Sequence, residues 1–186
     1  MRLIIGITGA SGCLYARKLL EVLQEKKVET ILIMSENAKK TISLEDGTPE
    51  EYMAMATQTY YESDLSSPVS SGSFKTDGMV IVPCSMKTLS AIASGYSGNC
   101  LTRAADVTIK EGRRLVLVPR ETPLNAMHLE NMLKLARLGV TILPAMPAFY
   151  SKPKKIDDLA SFIVGRVLDI FDIEHELYKR WGETVA

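Results

Sequence analysis

Five short runs of apolar, largely β-branched residues recur along the chain, with stretches of helical periodicity between them. The runs fall at residues 3–8 (LIIGIT), 28–34 (VETILIM), 79–82 (MVIV), 115–118 (LVLV) and 140–143 (VTIL). Runs without polar alternation mark strands buried on both faces, the condition of a parallel sheet covered by helices on each side. Helical stretches at 12–25, 86–93, 102–111 and 125–138 fit that covering role. The expected fold is therefore α/β, a Rossmann-like (flavodoxin-like) three-layer sandwich with a mainly parallel sheet.

Residues 44–77 break the rhythm. A helix is expected over 49–58, with Pro49 at its first position, followed by a Ser/Pro/Gly-rich loop at 66–73. The last helix is expected over 157–178, with Leu159, Phe162, Ile163, Val167, Ile170 and Phe171 on one stripe and Arg166 among them. No internal repeat or boundary interrupts the 186 residues, so 1–186 reads as a single domain. The 22 basic and 22 acidic residues cancel, which gives no general attraction to nucleic acid or an anionic membrane. The cysteines Cys13, Cys84 and Cys100 are sparse and odd in number, with no CxxC pair. They suit a reducing compartment and argue against a structural zinc site. The first apolar run is broken by Gly within a few residues and is too short to span a membrane. A cytoplasmic location follows.

In open α/β sheets, ligands bind beyond the carboxyl ends of the strands. Here those ends read Gly9-Ala10-Ser11-Gly12, then Ser35, Pro83-Cys84-Ser85, Pro119-Arg120-Glu121 and Pro144-Ala145-Met146-Pro147. The segment GITGASG, residues 6–12, runs from strand through a tight turn into a helix. Glycine lets a ligand approach the backbone, and the helix N-terminus offers unpaired N–H groups to an anion. Ser11 either adds a hydroxyl donor or caps the helix. The spacing is GxxGxxG, and the second strand ends in Met34-Ser35 rather than an acid, which disfavours a nicotinamide dinucleotide. GxxxxGK[ST] is absent too, so a mononucleotide such as FMN fits better.

Arg103 and Lys110 are seven residues apart on one helix and share a face, with Asp106 between them. A solvated salt-bridged stripe explains that pattern equally well. Arg166, on an apolar stripe, must snorkel, pair or meet a ligand anion. Arg120 stands at a strand end, and Tyr150 lies just past the fifth strand. Lys110, Arg120, Tyr150 and Arg166 thus form a candidate phosphate clamp, Arg being suited to it by its forked donors. His128 reads as a structural helix residue, His175 as a surface residue and Cys84 as a small core residue. No catalytic triad, HExxH or metal cluster is visible.

These blocks carry a resemblance. GITGASG (6–12), IVPCSMKTLSAIASG (81–95), RAADVTIKEGRRLVLVPRETPLNAMHLENMLKL (103–135) and ILPAMPAFY (142–150) are similar to the UbiX/Pad flavin prenyltransferases over almost the whole chain. The long third block is the most specific. The resemblance implies a homo-oligomer, typically a dodecamer, with FMN sites at subunit interfaces and the segment 157–186 packing there. It implies metal-independent transfer of a dimethylallyl group from dimethylallyl phosphate to N5/C6 of reduced FMN. The product is the prenylated FMN cofactor of UbiD-type decarboxylases. Matching positions imply FMN contacts from Gly9, Ala10, Ser11, Ser35, Ser85, Met86, Lys87, Thr88 and Arg120. They imply donor contacts from Arg103, Lys110, Arg120, Tyr150 and Arg166, with Ser11, Glu45, Lys110 and Glu121 as catalytic groups. PCSMKT stands here where many relatives carry PCSTGT.

Two other readings compete. An FMN-dependent Cys decarboxylase shares the fold but relies on an early histidine, and no His precedes His128 here. A flavodoxin-like electron carrier needs no cationic clamp. Direct decarboxylation of an aromatic acid is a further variant of the flavoprotein reading.

Overall fold

The computed structural model describes residues 1–182. In chain order the elements are β1 (Arg2–Ile7), α1 (Cys13–Glu25), β2 (Glu29–Met34), α2 (Glu36–Glu45), α3 (Pro49–Met55) and β3 (Gln58–Tyr61). A 3-10 turn (Pro68–Ser70) precedes β4 (Gly78–Cys84), α4 (Met86–Ala93), α5 (Cys100–Lys110), β5 (Arg114–Pro119), α6 (Ala126–Arg137), β6 (Thr141–Ile142) and α7 (Ile156–Ile170).

The sheet order is β3-β2-β1-β4-β5-β6, and every pair is parallel. From β1 the chain works outward to β2 and β3, then crosses to β4 on the other side. The order thus reverses between β1 and β4, and a crevice opens there at their carboxyl ends. Thr8 ties the two ends together: its hydroxyl donates to the Pro83 carbonyl at 2.8 Å and accepts from the Ser85 amide at 2.7 Å.

Strand alternation builds two cores. Ile5, Ile7, Leu32, Met34, Val80, Val82, Val116 and Val118 face a layer containing α1 and α7. Ile4, Ile31, Ile33, Met79, Ile81, Leu115 and Leu117 face α4 and α5, where Leu89 and Leu101 pack. Each such side chain contributes about 1.5–3 kcal/mol on burial. Both faces of the central strands are apolar, which is why the runs lacked alternation.

Several elements depart from the pattern expectation. The 49–58 helix stops at Met55, and residues 58–61 form the edge strand β3. Helix α2 had no stripe long enough to be read. β6 has only two residues, paired with Val116 and Leu117. The last helix ends at Ile170, not 178, because Asp172 turns the chain at φ 57° and the tail folds back. Among the described residues no helix is long and apolar enough to cross a membrane. Residues 183–186 of the expected 157–186 interface segment lie outside the described part.

The returning tail needs Gly165. A Cβ there would sit 2.6 Å from the Tyr178 ring and 2.7 Å from His175 Cε1. Gly165→Ala is expected to lift the tail from α7 and speed tryptic cleavage after Lys179 and Arg180, with the sheet core unaffected. Equal cleavage rates in the variant and the parent chain would show that the tail does not depend on this notch.

Candidate active site

The loop after β1 is built for close approach. A Cβ at Gly9 would lie 2.6 Å from Asn37 Cβ, so only glycine lets this loop pack on α2. Gly12, at φ 106°, is the N-cap of α1 and makes no side-chain cap. Ser11 therefore does not cap the helix. Glu45 does so from the end of α2: its Oε2 accepts from the Gly12 amide at 2.8 Å and the Cys13 amide at 3.2 Å. The expectation of open N–H groups on this helix is thereby corrected, since a carboxylate of the chain already holds them. Partial burial works to raise the Glu45 pKa. Hydrogen bonds from the Ser11 hydroxyl and the Gly12 and Cys13 amides, with Arg120 nearby, outweigh it and hold the group below the ordinary carboxylate value.

Two more helices start at this edge. Ser35 caps α2, accepting from the Ala38 amide at 3.1 Å, while Glu62 takes the Glu36 amide at 3.1 Å. Ser85 caps α4, accepting from the Thr88 amide at 3.3 Å and donating to the Thr88 hydroxyl at 3.2 Å. Among the described residues no carboxylate contacts the first turn of α4. Its positive end therefore remains available to an anion, with exposed Lys87 beside it and Met86 buried beneath. That end carries the unpaired amides and positive charge that suit an anionic group.

Arg120 joins this group. Its Nε donates to the Ser11 carbonyl at 3.2 Å, so Ser11, Glu45 and Arg120 meet at the switch point. Next to them lies a cavity of about 280 Å³, lined by Arg120 and Glu121 on one side and by Leu124, Met132 and Met146 on another. Glu121 accepts from the Thr122 amide at 3.0 Å and stays exposed. Cys84 is fully buried, and burial pushes its thiol up to about 12, which fits a core residue rather than a nucleophile.

The rest of the expected clamp is elsewhere. Arg103 and Lys110 do share a face. Arg103 donates to the Ser70 carbonyl at 3.1 Å and pairs with Asp106 at 2.8 Å, while Lys110 pairs with Glu111 beside Gly72. Lys110, however, lies at the amino end of β5 and Arg120 beyond its carboxyl end, about 20 Å apart for a strand of that length. Arg166 is not on the apolar stripe, which consists of Ile163, Val164, Val167 and Leu168. It faces outward, half exposed, 3.6 Å from Asp169. It also lies on the α1–α7 face of the sheet, opposite α5. One protomer does not bring Lys110, Arg120 and Arg166 together.

Tyr150 packs edge-on against Phe162 at 6.0 Å and Trp181 at 5.2 Å. The side chain of His175, expected at the surface, is only 1% exposed, and its Nε2 lies 3.1 Å from Asp169. Asp169 also accepts from the Tyr178 hydroxyl at 2.7 Å and Arg180 at 2.7 Å. Burial opposes its ionisation, but the bonds from Arg180, Tyr178 and His175 prevail and bring its pKa to about 2. Asp169 and Glu62 were missed because neither sits in a motif. Their roles depend on partners distant in the chain or beyond the expected helix end. Glu62 accepts from Asn99 as well, at 2.8 Å.

Residues 1–168 match the family model described as Flavoprotein. The flavin prenyltransferase UbiX of Methanocaldococcus jannaschii is 54% identical over 183 residues, 98% of this chain and 99% of that protein. The chain belongs to the UbiX-type flavin prenyltransferases. Among solved relatives, a dodecameric FMN-dependent UbiX-like decarboxylase from Escherichia coli O157:H7 superposes with a TM-score of 0.95. It is 50% identical, covering 97% of this chain and 99% of that one. AnUbiX, solved with FMN and dimethylallyl pyrophosphate, gives a TM-score of 0.96 at 48% identity, with 97% of each chain covered.

Glu45→Ala removes the acceptor from two helix N-terminal amides. It is expected to lower stability by about 1–2 kcal/mol in the ligand-free protein. Urea unfolding at neutral pH measures this. The loss shrinks as pH falls through the Glu45 pKa, because protonation removes the same charge in the parent chain.

Proposed function

We propose that the chain transfers a dimethylallyl group from dimethylallyl phosphate to N5 and C6 of reduced FMN, giving prenylated FMN. The observation that carries this reading is the meeting of Ser11, Glu45 and Arg120 at the switch-point crevice, beside the Glu121-lined cavity. Family membership supplies the reaction class. When bound, reduced FMN supplies electron-rich N5 and C6 positions.

The chain's own groups divide the work. Gly9, Ala10, Ser11 and Arg120 hold the flavin ring, while Ser35 and the run Ser85, Met86, Lys87 and Thr88 hold its phosphate end. As the allylic C–O bond of the donor breaks, the phosphate leaves with the bonding electron pair. Arg103, Lys110, Arg120, Tyr150 and Arg166 receive that charge. Fixed cationic donors stabilise it without a metal ion. Ionised Glu45 takes the N5 proton through Ser11 and returns a proton to the prenyl double bond, and Glu121 takes the C6 proton as the second bond forms.

Because one protomer separates the cations, Arg103 and Lys110 reach the crevice from one neighbouring copy, and Tyr150 and Arg166 reach it from another. Support comes from the dodecameric relative and from the exposed side chains of Lys110, Tyr150 and Arg166. The described part of the C-terminal segment, residues 157–182, then packs between subunits of a single-domain chain. The product serves a UbiD-type decarboxylase, in the cytoplasm.

Anaerobic incubation of reduced FMN with dimethylallyl phosphate is expected to add the mass of one prenyl unit to the flavin. An unmodified flavin, or loss of carbon dioxide from an added aromatic acid without a partner enzyme, would reject the reading. Lys110→Ala and Arg166→Ala are each expected to keep FMN but use the donor poorly. Refolding the two variants together should recover part of the activity, since some sites then draw both cations from intact copies. No recovery would place both groups in one chain's own site.

A further inference from the structure

A buried network lies behind the crevice, in the turn between α2 and α3. Tyr52 is 0% exposed, and its hydroxyl lies 2.5 Å from Asp46 Oδ2 and 3.2 Å from the Cys13 carbonyl. A phenolic proton favours the charged acceptor, so Asp46 takes the hydrogen bond and the carbonyl is the weaker partner. Burial and the bond to Asp46 both push the Tyr52 pKa up, so the hydroxyl keeps its proton. Arg17 closes on the same residue: Nε donates to Asp46 Oδ2 at 2.8 Å and Nη2 to the Asp46 carbonyl at 2.6 Å. Nη2 also reaches Glu51 at 2.6 Å, and the guanidinium lies 4.9 Å from the centre of the Tyr52 ring.

This network grips both ends of one contact. Asp46 adjoins Glu45 in the chain, and Cys13 donates its amide to Glu45. Glu45 is the last residue of α2, where helices fray, and neighbouring Leu44 is 87% exposed, so apolar packing of this helix ends at Ile42. The turn that follows uses Gly47 at φ 88°, and a Cβ there would come within 2.8 Å of Arg17 Nη2.

We propose that Tyr52, with Asp46 and Arg17, positions Glu45 on the first turn of α1, setting its place against Ser11 and its charge. The proposal rests on the reading of Glu45 as a proton-handling group. Tyr52 is a positioning residue that acts through Glu45.

Tyr52→Phe keeps the ring and removes the hydroxyl. Hydrogen exchange at the Gly12 and Cys13 amides is expected to accelerate about tenfold. Single-turnover prenylation should fall by a similar factor, with FMN affinity and donor half-saturation unchanged. Three hydrogen bonds hold the Glu45 pKa down. Loosening them raises it, so the acid limb of the rate profile moves to higher pH. In a Glu45→Gln background, Tyr52→Phe should cause no further rate loss. Asp46→Asn, which keeps the side chain's shape, should give the same pattern and serves if the first variant folds poorly. Unchanged amide exchange in both variants overturns the positioning role whatever the rates do. Additive rate losses in the double variant overturn it too, since they mark a general structural effect. Accelerated exchange with full activity in Glu45→Gln supports the positioning and removes the catalytic reading of Glu45 instead.

Discussion

The Glu45 carboxylate lies against the Gly12 and Cys13 amides, at the positive end of the α1 dipole. The loop that sequence pattern alone marks as the anion site is thus already neutralised from within. The consequence runs across the crevice. Among the described residues the α4 end is unopposed, beside Lys87, while the α1 end carries a carboxylate next to the Ser11 hydroxyl. One edge of the sheet therefore holds an open helix end and a carboxylate side by side. Without Glu45 the first amides of α1 would be a second unopposed helix end.

The topology makes this division possible. With the order reversing between β1 and β4, the Gly9–Gly12 loop and the Ser85 loop face each other across one strand spacing. Thr8 spans the gap with two short hydrogen bonds. Helices α5 and α7 run back toward the amino ends of the strands on opposite faces, carrying Lys110 and Arg166 with them. A single chain of this fold cannot bend those helices inward without abandoning the cores built on Leu101 and Val167. A chemistry that needs both cations beside Arg120 must recruit them from other copies.

Much of the architecture was legible because parallel strands buried on both faces leave a continuous apolar run. β1, β2, β4 and β5 were read in that way, and α4 fell at residues 86–93 as expected. Edge elements were harder. β3 (QTYY) has no fully buried residue and imposes no pattern, whereas β6 lies within the expected run 140–143 but pairs over only two residues. The error at α7 has a specific cause. The stripe of Ile163, Val167 and Phe171 continues in apparent phase through Tyr178, and only the turn at Asp172 shows where the helix stops. Arg166 was misplaced by the same error, since the stripe was centred one residue away. Ser11 and Arg120 were legible from their motifs. The carboxylate completing their group was placed by resemblance, because nothing local to Glu45 shows that it would reach across 33 residues to Gly12.

The folded-back tail gives the molecule an internal reporter. Trp181 is the chain's single tryptophan, and its ring stands edge-on to Tyr150, one of the groups assigned to the donor phosphate. Indole emission from this protein therefore comes wholly from the seam between tail and loop. Movement of Tyr150 against this ring is therefore open to optical detection without a label.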